Sequence, residues 1–314
     1  MLNSQRIFVD CIKRYCTAHD VAFEVKAQGW LLSMQKGPRR HYAWGYDLGL
    51  NSSVAHRIAN DKAATSDVLE NSGIACVPHS LFFNPEFSGY VPQEGSWEAM
   101  LQLLERFPHG LVVKPNEGTG GEHVFKASKK SELELAVGRI FQSNKTLAIS
   151  PYYAIEEEVR VVVIDYVPLV VYRKTRPMVE GDGVRTALQL ALANIPAKRL
   201  SAVFADVASE LDASFLDSVP QRGQQCVLNW RHNLGRGANP ILLEDGAERR
   251  ACADIAQAAA RAITLRFGSV DVVLVDGTWR VLEINSGVMM EAFNDKHPDL
   301  VDTVYHAALD KIFG

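Results

Sequence analysis

Residues 4–19 set Ile7, Phe8, Cys11, Ile12, Tyr15 and Cys16 on one helical face, with Ser4 placed to cap the helix. Three strand-like pieces follow, around VAFEV, GWLLSM and HYAWGYD, the last two divided by the turn signal KGPRR. The run NSSVAHRIANDKAATSDVLENSGIACVPHS predicts two helices, the second closed by Gly73, then a strand stopped by Pro78. Trp97, Met100, Leu101 and Leu104 mark a helix over 96–107, and another spans about 131–141 before the strand-like LAIS. Between the two lies LVVKPNEGTGGEHVFKA, read as strand, loop and strand.

EVRVVVIDYVPLVVYR is rich in β-branched residues and broken by Asp165 and Pro168, which predicts two antiparallel strands. A glycine-rich loop, VEGDG, then precedes an apolar helix. Residues 196–224 carry no clear pattern. ARAITLRFGSVDVVLVDGTWRVLEINSGVMM reads as helix, strand, Asp276-Gly277 turn and strand. The elements describe an α+β (α/β) protein divided at 1–75, 76–155 and 156–314.

With 47% hydrophobic and 22% charged residues, the 314-residue chain is ordinary globular material. A net charge of -4 gives no footprint for a polyanion, so nucleic acid is disfavoured as the main partner. Five cysteines without knuckle or redox spacing fit a reducing compartment, and nine histidines without paired spacing give a transition metal little support. The absence of a signal-like N-terminus or an apolar run of spanning length leads to the expectation of a cytoplasmic protein that does not enter a membrane.

Two stretches carry candidate chemistry. Lys114 ends a strand and Gly118, Thr119, Gly120 and Gly121 follow, a loop whose bare N–H groups suit a phosphate. The order is neither that of a P-loop nor of a dinucleotide fingerprint, and a hairpin with a flexible turn is the alternative. In the last hairpin Glu283 and Asn285 share a face by period two, and an antiparallel partner brings Asp271 beside them. Three hard oxygen ligands suit Mg²⁺, or Mn²⁺ in its place, and a polar outer hairpin face is the alternative.

In order along the chain, ANDKAATSDVLENSGIACVP, VVKPNEGTGG, EVRVVVID, VEGDG, RHNLGRGA and VDVVLVDGTWRVLEINSG resemble the ATP-grasp superfamily of carboxylate-amine ligases. The likeness is to the modules of cyanophycin synthetase and bifunctional glutathione synthetase and to ribosomal-protein glutamate ligases, over about residues 51–291. It implies two α+β subdomains clamping ATP behind a small N-terminal unit. It also implies Lys62 and Lys114 on the phosphates under the flap Gly118–Gly121, backbone around Tyr152 and Tyr153 on adenine, and Glu158 on the ribose. Arg231 and Asn233 would stabilise the reacting acyl group, with Lys174 assisting. The implied reaction joins a carboxylate and an amine, an amino acid or short peptide among them, through an acyl phosphate, and leaves self-association into a homo-oligomer open. An inert nucleotide-binding module and a kinase are the rivals. Many relatives carry a glutamate where Ser150 or Pro151 stands, and SGVMMEAF replaces the usual turn after Asn285, with Met289 and Met290 either shaping a substrate pocket or filling core.

Overall fold

The computed structural model describes residues 6–86, 96–118, 120–194 and 213–314. Ser4 and Thr119 lie outside them. Helix α1 (Ile7–Ala18) buries the predicted face, and it packs on the C-terminal helix Pro298–Phe313. Strands β1 (Ala22–Lys26), β2 (Leu31–Lys36) and β3 (Arg39–Trp44) form an antiparallel meander. Helices α2 (Ser53–Asn60) and α3 (Lys62–Asn71) are each capped as such sequences favour: Ser52 accepts from the Ala55 N–H and Asp61 from the Ala64 N–H. Gly73, at φ +70°, ends α3 in the left-handed conformation that a Cβ disfavours. The strand expected next shrinks to one parallel bridge between Cys76 and Val281, and β4 (Ser80–Phe83) begins only after Pro78, which has no N–H to give a ladder.

The central layer follows. Helix α4 (Ser96–Arg106), β5 (Leu111–Pro115), β6 (Phe125–Ala127), α5 (Lys130–Phe141) and β7 (Thr146–Pro151) make an antiparallel sheet of order β4-β7-β5-β6 with α5 packed on it. Leu111 and Val113 face its core, so period two turns Lys114 to the other side.

The larger sheet has order β12-β9-β8-β13-β14, from β8 (Glu157–Ile164), β9 (Val167–Lys174), β12 (Pro240–Leu242), β13 (Phe267–Val275) and β14 (Thr278–Asn285). The β8–β9 turn sits at the first of the two expected breaks, at Asp165 and Tyr166, both at positive φ. Pro168 instead lies in β9 opposite Val163, where the ladder slips register and a missing N–H is tolerated. One face of this sheet packs Val159, Val161, Val270 and Val272 against the helix Ala247–Ala262. The other changes character along its length. Val162, Ile164, Val170, Tyr172 and Phe267 share a core with α1, the meander and the C-terminal helix. Further along, the same face carries Glu158, Arg160, Lys174, Asp271, Glu283 and Asn285. A side unit of β10 (Met178–Glu180), α6 (Ala187–Asn194) and β11 (Gln225–Val227) completes the described chain. Among the described residues no helix is long and apolar enough to cross a membrane.

Candidate active site

The Lys114 side chain lies between the two sheets, 6% exposed, with no hydrogen-bond or ion-pair partner among the described residues. Burial pushes its ammonium down to about 8, against the pull of Glu283 and Glu158. Lys62, at the start of α3, is tied to the glycine loop: its Nζ donates to the carbonyls of Asn116 (3.2 Å) and Gly118 (3.1 Å), while Asn116 Oδ1 accepts from the Ala63 N–H. Two lysines that the sequence separates by 52 positions thus flank one loop.

The charged sheet face is a connected network. Register pairs Asp271 with Glu283 on β14 and with Arg160 on β8. Arg160 grips both oxygens of Asp271, Nε to Oδ1 at 2.7 Å and Nη2 to Oδ2 at 2.6 Å. Lys174 Nζ reaches Asp271 Oδ2 at 3.0 Å and pairs with Glu158. Burial opposes ionisation of Asp271, yet Arg160 and Lys174 hold it well below the usual carboxylate range. Glu158 moves the other way, raised by burial and by the like charges of Asp271 and Glu283, against the pull of Lys174. Both Glu158 oxygens face protein, Oε1 on Lys174 and Oε2 3.4 Å from His232 Nδ1. His232 is held neutral, lowered to about 4 by burial and by Arg176 and Lys174, so that contact is not an ion pair.

The loop 229–238 closes over the glycine loop. Arg231 Nη1 donates to the Gly121 carbonyl (3.4 Å), and Asn233 Nδ2 (2.8 Å) and Arg236 Nε (3.4 Å) donate to that of Gly120. Gly118, Gly120 and Gly121 all have positive φ, and a Cβ on Gly121 would stand 2.7 Å from Asn233 Nδ2. At the hinge after β7, the Tyr152 N–H donates to the Gly110 carbonyl, and its ring lies edge-on to Trp230 beneath Lys126. Tyr153 packs with Val77, Val273 and Leu282. Met290 is core, whereas Met289 is half exposed.

No family model matches the sequence, and no curated protein matches it. Solved structures do. A bifunctional glutathione synthetase from Pasteurella multocida aligns over 95% of this chain and 44% of its own, at TM-score 0.56 and 17% identity. A D-alanine–D-alanine ligase from Bacillus anthracis aligns over 83% of this chain and 68% of its own, at 0.53 and 17% identity, and its complex with ATP at 0.50 and 18%. The chain therefore spans less than half of the first relative. The fold is ATP-grasp.

Within the ATP-grasp frame, the expected residues Lys62, Lys114, Gly118, Gly120 and Gly121 come together on one side, and Lys174, Asp271, Glu283 and Asn285 on the other. As metal donors, Glu283 and Asn285 fit: hard oxygens, partly buried, with one long mutual contact from Asn285 Nδ2 to Glu283 Oε1 (3.4 Å). Asp271 fits less well, since three N–H contacts fill three of its roughly four lone-pair positions. Among the described residues no group of three or more His, Cys, Asp or Glu side chains is spaced to hold a metal ion. Arg160, His79 and His232 escaped sequence reasoning. Arg160 reads as one more polar position in an apolar strand, and its partner lies 111 residues away. The two histidines carry no spacing signal, yet each is buried with one ring nitrogen lacking a hydrogen-bond partner among the described residues.

Proposed function

We propose that the chain is an ATP-dependent carboxylate-amine ligase, ADP-forming, which joins an amino acid or short peptide through an acyl phosphate. One observation carries the reading: a buried lysine, Lys114, without a partner among the described residues, within the influence of Glu283 and Glu158 on the other sheet. An unpaired buried charge is unfavourable unless a ligand completes it. ATP in the complex of the Bacillus anthracis ligase supports that ligand.

In this reading Lys62 and Lys114 bind the phosphate chain as point charges, under backbone donors of Gly118–Gly121 and Thr119. The backbone at Tyr152 and Tyr153 takes adenine. Glu158 reaches the ribose only by releasing one of its present neighbours. Glu283 and Asn285, with the last lone pair of Asp271, hold Mg²⁺ or Mn²⁺, which when bound would offset phosphate charge. A substrate carboxylate oxygen attacks the γ-phosphorus and the bond to ADP breaks. The amine nitrogen then attacks the carbonyl carbon, the C–O bond to phosphate breaks, and the amine sheds its proton. Arg231, beside Asn233 on the same loop, faces the oxyanion formed in that second step, and Lys174 offsets the charge of Asp271 and Glu158.

Purified protein incubated with ATP, Mg²⁺ and pairs of amino acids or simple carboxylates tests this. Phosphate release that needs both partners, and a hydroxamate when hydroxylamine replaces the amine, are expected. Arg231→Ala should lower turnover by about 10² to 10³ with ATP affinity little changed. A stable phosphorylated product, or ATP binding without ADP from any pair, would overturn the ligase reading.

A further inference from the structure

The last ladder pair of the carboxylate-bearing hairpin is Ser269 with Asn285, so beyond Asn285 no neighbouring strand fixes the end of β14. The Asn285 side chain has, among the described residues, only its 3.4 Å contact with Glu283 to direct it. The next residue is held firmly. Ser286 is 1% exposed and turns its side chain to α2, where its Oγ lies 2.9 Å from His56 Nδ1 and 3.4 Å from Asn60 Oδ1. Asn60 Nδ2 lies 3.0 Å from His56 Nε2, and Asp47 Oδ2 lies 3.2 Å from His56 Nδ1. We infer that His56, acting through Ser286, is a positioning residue for the metal site, fixing the chain at Asn285 so that its side-chain oxygen points at the ion. The inference rests on the metal-site part of the reading above and adds the residues that set its geometry.

The four contacts agree on one set of donors. Asn60 Nδ2 can only donate, so His56 Nε2 accepts and Nδ1 carries the hydrogen. An ionised Asp47 can only accept, so its contact demands the same tautomer. Nδ1–H then donates to Ser286 Oγ, the Ser286 hydroxyl donates to Asn60 Oδ1, and the ring of three side chains closes. Asp47 is itself fixed, its Oδ1 accepting from the Gly49 N–H at 2.7 Å. Docking of α2 on the sheet does not need these bonds, because Ile58 and Ala59 already share a core with Ile284. What the bonds add is direction. Groups that orient a metal ligand from behind typically govern metal affinity by about 10- to 100-fold. The chain also runs from Asn60 through Asp61 into Lys62, so the same ring ties the metal donor to a phosphate-binding lysine.

Mn²⁺ binding, read by the loss of the free-ion electron paramagnetic resonance signal, tests this in the presence of the β,γ-imido analogue of ATP. Binding of the analogue alone, in excess chelator, is the companion measurement. Wild type is compared with Ser286→Ala, His56→Gln and His56→Asn. The amide nitrogen of asparagine stands where Nδ1 stood, and that of glutamine where Nε2 stood. Ser286→Ala and His56→Gln should bind Mn²⁺ about tenfold more weakly, with metal-free affinity for the analogue little changed, and His56→Asn should bind both as the wild type does. The His56 side chain is 39% exposed, so its two variants decide the matter even if Ser286→Ala fails to fold. Equal Mn²⁺ affinity in all the proteins, or His56→Asn as weak as His56→Gln, would overturn the proposal alone. So would equal losses with and without metal, which mark a merely structural role. Wild type that binds the analogue but no Mn²⁺ would overturn the metal-site reading and this proposal with it, and wild type that binds neither would overturn the nucleotide-site reading as well.

Discussion

Replacing Asp271 by asparagine keeps the shape of the side chain and removes its charge, which separates what that residue does for the fold from what it does for chemistry. In the wild type, Asp271 and Lys174 are 1% and 6% exposed and Arg160 19%, and three contacts of 2.6 to 3.0 Å join them. After the change, Lys174 keeps only Glu158 and Arg160 loses the carboxylate it grips, and the new amide turns two hydrogens toward donors that previously met an oxygen. Breaking a buried pair from one side costs about 3 to 5 kcal/mol. An unfolding entropy of about 2.1 cal/mol/K per residue over 314 residues gives about 0.7 kcal/mol per degree. Calorimetric melting at pH 7.5 should therefore fall by about 5 to 8 °C if unfolding is cooperative. Glu283→Gln, which lacks such commitments, should change it by less than about 2 °C. The pH dependence has a definite sign. The carboxyl is depressed in the folded state, so its contribution is complete above about pH 4, the unfolded value, and is lost as pH falls toward the folded one. That loss should disappear in Asp271→Asn. An Asp271→Asn protein melting with the wild type, while its Mg²⁺-ATP binding is gone, would refute the assignment of this carboxylate to the cation network.

Lys114→Met keeps the stem and removes the charge, so ATP affinity should fall at least about tenfold without a lower melting temperature, whereas Lys130→Met, on an exposed helix start, should alter neither; equilibrium binding and melting decide it. Gly121→Ala forces a left-handed residue at about 1 to 2 kcal/mol and presses on Asn233, so amide exchange at Gly120 and through 233–236 should quicken; unchanged protection would count against the clasp. His232 binds its proton near 4 when folded and near 6.5 when unfolded, so the unfolded chain gains protons first and stability should fall by up to about 3 kcal/mol between those values, an effect absent in His232→Gln when followed by denaturant melts.

Local signals carried much of the fold. The Asp276-Gly277 turn fixes the register of β13 with β14 as far as Val272 opposite Val281, and a bulge between Asp271 and Val272 then sets Asp271 opposite Glu283 rather than Leu282, so the hairpin was legible from spacing and the bulge that completes this part of the site was not. The meander was legible as three strands, but not its packing on Pro298–Phe313, because no local pattern says which distant helix fills a shared core. The strand expected before Pro78 failed because β-propensity needs a neighbour, and only Val281 supplies one. Of the two breaks read in that stretch, Asp165 marks the turn, where it adopts the positive φ at which the chain reverses, and Pro168 falls within the strand that follows. Arg160, His79 and His232 were illegible for one reason: each is defined by what burial and remote charges do to it, and sequence spacing records neither.

The clasp between the glycine loop and residues 229–238 makes the two segments one mutational unit. The Gly120 carbonyl answers to both Asn233 and Arg236, and the Gly121 carbonyl to Arg231. Substitutions on the two sides will not add, since whichever change comes first removes what the second would have disturbed. Redesign of this protein for new partners must vary Gly120 and Gly121 jointly with 231, 233 and 236. A library built one loop at a time would discard combinations whose members are each poor alone.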